Sequence, residues 1–196
     1  EIGDKPYGIP TTDEVRIQSS QELIDDLTGK PYYIATKMDG TSCTIYFNNG
    51  QVGVCGRNKE YKETTASGYW KLAHLYKIPE KLTGLGKNIA LQGEYCGEKI
   101  QKNRLKLQKP KFFIFNVYDI DTATYYNYRD FRDIIAHLGL ETVPVEEEGE
   151  SFNYSLDELL EKANGKYPSG LDKEGIVIRS QENTEDGKFL SFKVIN

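Results

Sequence analysis

Several patterns that often identify a function are missing from this sequence. The three cysteines, Cys43, Cys55 and Cys96, are an odd number and have no CxxC spacing, which argues against a disulfide framework and against a zinc site. We therefore expect each cysteine to be a small buried strand residue in a reducing compartment. No apolar run reaches membrane-spanning length and no signal-peptide pattern opens the chain, so we expect an intracellular protein, cytoplasmic or nuclear, without membrane contact.

Glycine-rich phosphate loops are absent as well. The chain contains neither GxxxxGK[ST] nor GxGxxG, and it has no HExxH zinc motif, so P-loop and Rossmann-type nucleotide binding are not indicated. The two histidines, His74 and His137, fall within predicted helices, where we expect them to be structural or surface residues. No spacing supports a serine-histidine-aspartate site.

The composition is that of a folded domain. Hydrophobic residues make up 38% of the 196 residues, with 14 tyrosines and 8 phenylalanines, which is enough for a sizeable core. The net charge of −5 is not that of a general polycation, so any nucleic-acid binding must come from a local basic surface. The chain starts with glutamate and not with methionine, and we expect it to be a fragment of a longer protein.

Hydrophobic periodicity predicts an α+β domain with largely antiparallel sheets flanked by helices. Residues 1–18, with Pro6 and Pro10, predict an irregular arm, and Ser19 with Glu22 predicts a capping box at the start of a short helix that Gly29 ends. Strands are predicted at about 31–37, 41–48, 51–56, 89–95, 112–120, 174–179 and 189–195, and helices at about 66–77, 128–138 and 155–163.

The dipeptide Asp39-Gly40 lies between two predicted strands. It is typical of a tight hairpin turn, because both residues tolerate a positive φ. Lys37 comes two residues earlier, either as a solvated charge at a strand end or as a nucleophile at the mouth of a pocket.

Other polar residues interrupt or border apolar strands in the same way. Burying one such charge without a partner costs several kcal/mol. Each alone could face water, but as a group they are expected to meet around a polar pocket. These residues are Arg57, Asn58, Glu94, Glu174 and Lys193.

The order of these motifs resembles the covalent nucleotidyltransferases, which comprise DNA ligases, RNA ligases and GTP-dependent mRNA capping enzymes. KxDG alone is weak evidence, whereas five motifs in the right order, from about residue 16 to the end, are strong evidence. The motifs are KMDG (37–40), QGEYCG (92–97), FFIFNVYDI (112–120), EGIVI (174–178) and a last strand with Lys193.

Within this superfamily the chain is most similar to ATP-dependent RNA ligases. KMDGTS (37–42) and FNVYDI (115–120) carry that resemblance. The segment TTDEVRIQ (11–18) resembles the RNA ligases with a separate N-terminal oligonucleotide-binding-fold domain, which has no room in this chain. The resemblance implies one ATP-grasp-like adenylyltransferase domain over residues 1–196.

The resemblance also implies the chemistry and the cofactors, ATP with Mg²⁺ or Mn²⁺. Lys37 would attack the α-phosphate of ATP, and the lysine-bound AMP would pass to an RNA 5′-phosphate, where a 3′-hydroxyl would displace it. Glu174 and Asp39 would hold the metal, and Lys193 would contact the α-phosphate. The implied contacts are Arg16 to the β- or γ-phosphate, Glu94 to the ribose, Arg57 to the ribose or the incoming RNA end, and Tyr118 stacked on adenine, with Phe115 nearby.

Two features leave questions open. Many relatives carry a KxK pair in the last motif, whereas here Ile195 follows Lys193 at that spacing, so the second lysine is dispensable or Lys188 partly substitutes. The segment from Lys99 to Lys111 has six basic residues in thirteen, and it is either an RNA surface or a solvated loop.

Three alternatives to an RNA ligase remain: a GTP-dependent capping enzyme, the adenylation domain of a DNA ligase, and a non-catalytic module that binds nucleotides or RNA ends. Retention of the nucleophile Lys37 argues against the last of these. We expect an isolated domain of this kind to adenylylate itself but to join RNA ends poorly.

Overall fold

The computed structural model of the protein describes residues 1–12, 14–17 and 21–196. Its strands are β1 (Gly3–Asp4), β2 (Val15–Arg16), β3 (Tyr32–Thr36), β4 (Thr41–Asn48), β5 (Gln51–Cys55), β6 (Lys59–Tyr61), β7 (Ile89–Cys96), β8 (Lys111–Asp119), β9 (Thr124–Tyr125), β10 (Val145–Gly149), β11 (Gly175–Ser180) and β12 (Ser191–Ile195). The helices are α1 (Glu22–Leu27), α2 (Gly68–Leu75), α3 (Ile78–Leu85), α4 (Tyr128–His137) and α5 (Leu156–Ala163).

The strands form two sheets. In the described part of the chain, one has seven strands in the order β1-β6-β5-β4-β7-β8-β9 and the other has five in the order β10-β3-β11-β12-β2. All of these strand pairs are antiparallel except β12 with β2. The prediction of an α+β fold with largely antiparallel sheets is therefore confirmed.

The five-stranded sheet has one apolar face and one face that is available for a site. Because side chains alternate along a strand, Ile34, Ile176 and Ile178 point to the same side, and they pack in one core with α1 and α5. The intervening residues, such as Tyr33 and Ala35, lie on the opposite face. Because these isoleucines occupy the core face, the alternate residues of β3, β11 and β12 point to the other face, where they can line a cavity.

The seven-stranded sheet carries the larger core. Its apolar face packs against helices that follow the sheet strands in the chain, and burial of this surface is the main stabilising contribution. The helical members are Trp70, Leu72 and Ala73 on α2, Ile78 and Leu82 on α3, and Phe131 and Ile135 on α4.

The N-terminal arm covers the other face of the seven-stranded sheet. The side chain of Gln92 donates to the carbonyl of Pro10 over 2.8 Å, and the hydroxyls of Thr12 and Ser42 lie 2.8 Å apart. Apart from the two short strands β1 and β2, its described residues are irregular, as predicted. The arm therefore runs between the two sheets and joins the edge of the second one at β2.

The hairpin prediction for Asp39-Gly40 is wrong. Strand β3 pairs with β10 and β11, whereas β4 pairs with β5 and β7, so the segment crosses from one sheet to the other. Neither residue has a positive φ. Glycine is required at 40 by close packing, because a Cβ there would lie 2.4 Å from the carbonyl oxygen of Tyr95.

Some local features differ from the predictions. The helix predicted at 66–77 is present as α2, but α3, which Lys77 in a left-handed conformation with φ 56° separates from it, was not predicted. Pro79 fits the first turn of α3, where no backbone donor is needed. Strand β10 was not predicted, because VEEEG has low strand propensity. The predicted capping residue Ser19 lies outside the described residues.

The predicted positions of the cysteines in strands and of the histidines in helices are confirmed. Cys43, Cys55 and Cys96 are unpaired and buried in β4, β5 and β7, and His74 and His137 lie on α2 and α4. Within the described ranges, no helix has both the length and the apolar character that crossing a bilayer needs.

Candidate functional site

Lys37 lies where the chain leaves the five-stranded sheet. It follows the last residue of β3, and its N–H donates to the carbonyl of Gly175 over 3.1 Å. Its ammonium Nζ is 3.5 Å from Oε2 of Glu174, which immediately precedes β11. The side chains are 26% and 28% exposed, so the pair is accessible from solvent. Antiparallel pairing of β3 with β11 is what brings these two distant residues together.

Two cavities meet at this pair. A smaller one of about 270 Å³ lies between the two sheets, and a larger, more open one of about 1020 Å³ lies beyond the ends of the strands. Lys37 and Lys193 line both cavities. A group held at the junction would therefore face both lysines.

The smaller cavity has an apolar part that includes two aromatic residues, and a polar part. Tyr33, Ala35 and Val177 line it from the five-stranded sheet and Phe115 lines it from β8. Apolar surface together with convergent polar groups suits a planar organic ligand with polar edges. Its polar lining includes Thr12, Glu14, Ser42, Arg57, Glu94 and Arg179.

The larger cavity is strongly basic. Six cationic side chains line it against two carboxylates, Asp172 and Glu174, so it favours an anionic ligand. Arg16 and Lys193 are register partners on the parallel strands β2 and β12, which places them side by side. The six cationic residues are Arg16, Lys37, Lys102, Arg104, Lys173 and Lys193.

The predicted RNA segment contributes only in part to this cavity. We call residues 97–110, which connect β7 to β8, the basic loop. Lys102 and Arg104 line the larger cavity. In contrast, Lys109 lies over the ring of Tyr76, 5.7 Å from its centroid, and Lys111 pairs with Glu141 at 3.5 Å.

Asp39 anchors the basic loop. Its side chain is buried, and Oδ2 accepts a hydrogen bond of 2.8 Å from the backbone N–H of Arg104. Asp39 and Glu174 both act electrostatically on Glu94, so three carboxylates lie near one another. Among the described residues, no group of three or more histidine, cysteine, aspartate or glutamate side chains is arranged to enclose a metal ion.

Glu94 has the most perturbed carboxyl group of the site. Burial raises its pKa to about 7, and the charges of Glu174 and Asp39 add to this effect while Lys37 opposes it. Glu94 lies on β7 opposite Ser42 of β4, and both line the smaller cavity. A half-buried carboxylate that ionises only near neutral pH is unusual outside functional sites.

We predict that Glu94→Gln raises the melting temperature by about 5 °C at pH 8, with much less change at pH 5. A folded-state pKa of about 7 exceeds the ordinary value of 4.5, so native Glu94 is mostly neutral below pH 7. The unmodified protein loses stability as the pH rises from the pKa of Glu94 in the unfolded state through its pKa in the folded state, because the buried carboxyl group then ionises. The glutamine of the variant stays neutral at both pH values. Thermal unfolding at both pH values tests this, and an equal shift at both would contradict it.

The structure does not bring Tyr118 into the site. Tyr118 packs with Ile9, Ala90 and Tyr125 under the N-terminal arm, and it lines neither of the two cavities. Tyr118 pairs with Ala90, which shares a face of β7 with Glu94, so Tyr118 faces the same side of the sheet but lies further from the cavity, under the arm. The aromatic residue at the cavity is Phe115, which is the extra residue of a bulge in β8 between Ile114 and Asn116.

Five of the remaining predicted residues are brought together at the cavities, whereas Asp39 and Asn58 line neither of them. Arg57 and Glu94 line the smaller cavity, Arg16 and Glu174 line the larger one, and Lys193 lines both. Lys188 is exposed and lines neither cavity, which gives no support to its role as a substitute lysine.

Sequence reasoning missed Arg179 at the base of the smaller cavity. Its guanidinium donates to the carbonyl of Phe115 over 2.6 Å and to Oδ1 of Asn116 over 2.7 Å, and it pairs with Glu14. These contacts join β11 to β8 and so connect the two sheets. The sequence does contain a signal for this residue, because Arg179 is a charged residue within the otherwise apolar strand GIVIRS.

Comparison with known proteins gives one family. The family model described as RNA ligase matches residues 30–195. A Naegleria gruberi RNA ligase with PPi is 35% identical, with a TM-score of 0.91, and the match covers 100% of this chain and 58% of that one. Point variants of that ligase, one with ATP and Mn and one with AMP and Mn, are each 34% identical with the same coverage and TM-score. A comparison with curated protein sequences finds no match.

Proposed function

Because the chain belongs to the RNA ligase family, we propose that residues 1–196 form the adenylyltransferase domain of an ATP-dependent RNA ligase. The observation that carries this proposal is the position of Lys37 at the junction of a smaller cavity with aromatic and polar walls and a larger basic one. A nucleoside fits the first cavity and its phosphates fit the second. The α-phosphate, which connects the two parts of ATP, would then lie at the lysine.

In the proposed reaction the neutral amine of Lys37 attacks the α-phosphorus of ATP. An N–P bond forms, the bond to the bridging oxygen breaks, and pyrophosphate leaves. The lysine ammonium gives one proton to solvent before the attack, and the nitrogen loses a second as the N–P bond forms. In the second step the 5′-phosphate of an RNA end takes the AMP from Lys37, and in the third a 3′-hydroxyl displaces AMP to form the phosphodiester.

The cations of the larger cavity have separate places along the phosphates. Lys193 lies at the junction with Lys37, where it can stabilise charge that develops on the α-phosphate in the transition state. Arg16, its neighbour on β2, is one position further into the larger cavity and is suited to the leaving pyrophosphate. Glu94 and Arg57, in the smaller cavity, are suited to the ribose hydroxyls.

The carboxylates fit a metal ion that arrives with the nucleotide. Mg²⁺ and Mn²⁺ commonly keep several waters and bind through one or two carboxylates together with substrate phosphates. Glu174, which lines the larger cavity, can serve in this way, and Asp39, which is buried and lines neither cavity, would act through the waters of the ion. When bound, the ion neutralises phosphate charge.

Phe115 is our assignment for the residue that stacks on adenine. We predict that Phe115→Ala raises the ATP concentration for half-maximal labelling about tenfold, since a stacked base contributes roughly 1–3 kcal/mol. Tyr118→Phe, the control on the same strand, should stay within about twofold. Titration of the labelling yield with ATP measures both, and an effect confined to the Tyr118 variant would reverse the assignment.

Intact-mass spectrometry after incubation with Mg²⁺ and either ATP or GTP tests the function. A gain of one AMP with ATP supports an adenylylating ligase domain, and a gain of one GMP with GTP would indicate a capping enzyme instead. No gain with either nucleotide, from folded protein that binds ATP, would favour a binding module.

The RNA step requires its own assay, because the chain spans only 58% of the length of the Naegleria ligases. The proposed substrates are RNA ends with a 5′-phosphate and a 3′-hydroxyl. A further N-terminal domain of the same protein is proposed to act in sealing. Addition of that domain should increase the joined fraction of a nicked RNA duplex without increasing labelling by ATP.

A further inference from the structure

Tyr167 connects the backbones of Lys37 and Glu174. It lies in the turn between α5 and β11, and its hydroxyl donates to the carbonyl of Lys37 over 2.6 Å. The same oxygen accepts a hydrogen bond of 3.2 Å from the backbone N–H of Glu174. Burial raises the pKa of Tyr167 to about 12, so the hydroxyl remains neutral and can donate and accept at once.

These two contacts lie just beyond the ends of β3 and β11. Lys37 follows the end of β3 and Glu174 precedes the start of β11, so both lie one residue outside the strands. The N–H of Lys37 still bonds to Gly175, but its carbonyl is held by Tyr167. The tyrosine hydroxyl thus bridges the backbones of β3 and β11 one residue beyond the ends of the strands. The two bridged residues are Lys37 and Glu174, whose Nζ and Oε2 atoms form the ion pair.

The turn that carries Tyr167 is itself well fixed. The N–H of Tyr167 donates to Leu171 and its carbonyl accepts from Gly170, both over 2.9 Å. The ring is 3% exposed, in the cluster that contains Met38 and Phe113. With its ring and backbone both held, the hydroxyl has little freedom to move away from Lys37.

The turn also holds the basic loop. The hydroxyl of Ser169 donates to the carbonyl of Arg104, whose N–H is bound by Asp39. One short turn therefore contacts the segment of the nucleophile, the carboxylate strand and the loop that lines the larger cavity.

We infer that Tyr167 is a positioning residue for the first step of ligation: its hydroxyl fixes the Lys37 peptide against Glu174, so that the amine faces the cavity junction. The inference rests on the proposed function of Lys37 as the nucleophile. A phenylalanine at this position would bury its ring equally well, but it could not form the two hydrogen bonds. This difference makes the role testable.

The test is Tyr167→Phe, which keeps the ring and removes the hydroxyl. At saturating ATP and Mg²⁺ we expect the single-turnover rate of AMP attachment to fall about tenfold to hundredfold, because small misplacement of a reacting group has effects of that size. The ATP concentration for half-maximal rate should change less than about threefold, since Phe115, Glu94 and Arg57 are untouched. Quench-flow labelling over a range of ATP concentrations gives both values.

Tyr76→Phe is the matched control. The hydroxyl of Tyr76 also donates to a backbone carbonyl, that of Pro110, over 2.6 Å. Tyr76 packs against the core of the seven-stranded sheet and lines neither cavity. The rate of AMP attachment in Tyr76→Phe should stay within about twofold of that of the unmodified protein. Equal losses in both variants, or a Tyr167→Phe rate within twofold, would overturn the inference.

Amide hydrogen exchange separates this inference from the proposed function. Removal of the hydroxyl should speed exchange of the Glu174 amide, and Tyr76→Phe should leave it unchanged. If the unmodified protein gains no AMP, the proposed function fails and the exchange result alone decides whether Tyr167 fixes these backbones. Unchanged exchange at Glu174 in Tyr167→Phe would overturn the inference in either case.

Discussion

Lys37→Arg is expected to abolish covalent labelling by ATP, with a loss of about four orders of magnitude or more, as for other catalytic nucleophiles. Arginine preserves the positive charge opposite Glu174 but stays protonated in proteins, so it offers no free amine to attack phosphorus. The fold should be unaffected, because the side chain is partly exposed and the ion pair contributes little to stability. Intact-mass spectrometry and the melting temperature measure the two effects.

The control for this variant is Lys102→Arg. Lys102 is exposed and lines the same basic cavity, so it undergoes the same chemical change without being at the junction. Its labelling should remain within about twofold of the unmodified protein. Full labelling of Lys37→Arg would show that AMP is attached elsewhere, and peptide mapping would then examine Lys193, which also lines both cavities.

The second large effect is expected at Arg179. We predict that Arg179→Met lowers the free energy of unfolding by about 3–5 kcal/mol, because removal of one member of a buried ion pair leaves its partner uncompensated. The partner is Glu14, and the side chains of the pair are 4% and 20% exposed. The variant also loses the bonds to the carbonyl of Phe115 and to Asn116 that join the two sheets. Urea-induced unfolding measures the change.

Two further variants distinguish this explanation from a general effect of losing an arginine. Arg129 is exposed on α4, so Arg129→Met should change stability by less than about 0.5 kcal/mol. Combining Arg179→Met with Glu14→Leu should recover part of the loss, because the unpaired carboxylate is removed as well. A double variant no more stable than Arg179→Met would mean that the ion pair does not account for the destabilisation.

The Arg179 variant should also weaken nucleotide binding. The guanidinium carbon lies 5.4 Å from the centroid of the Phe115 ring, and both residues line the smaller cavity. Arg179 therefore supports the aromatic wall from beneath as well as connecting the sheets. The same buried network thus serves the stability of the domain and the geometry of its proposed base pocket.

Much of the site was accessible from the sequence because chemistry is encoded by residue type and order. Lys37, Glu94, Glu174 and Lys193 interrupt apolar strands, and the physical cost of burying isolated charges predicted that they meet. The structure brings all four to the two adjoining cavities. The same reasoning applied to Arg179 would have predicted a buried charge with partners, which is the residue that connects the two sheets.

Strand assignments were accessible for a similar reason. Apolar residues alternate along β4, where Cys43, Ile45 and Phe47 face the core, and they form short runs in β7 and β11, so each segment carries a local signal of strand structure. Where the pattern is weak, as in the acidic edge strand β10, only pairing with β3 defines the strand.

Strand partners, by contrast, were decided by the tertiary structure. Asp39-Gly40 has the local sequence of a hairpin turn, yet β3 and β4 belong to different sheets, because long-range pairing outweighs the local preference. The single-residue bulge at Phe115 likewise leaves no local signal, because only the pairing of β8 with β7 defines it.

The sequence by itself thus determined the family and the set of candidate site residues, since both depend on which side chains occur and in what order. The tertiary structure alone decided that Phe115 and not Tyr118 lines the cavity, that Tyr167 reaches the backbones of Lys37 and Glu174, and that Arg179 joins the sheets. These relations depend on contacts between residues far apart in the chain, and such contacts form only when the two sheets pack together.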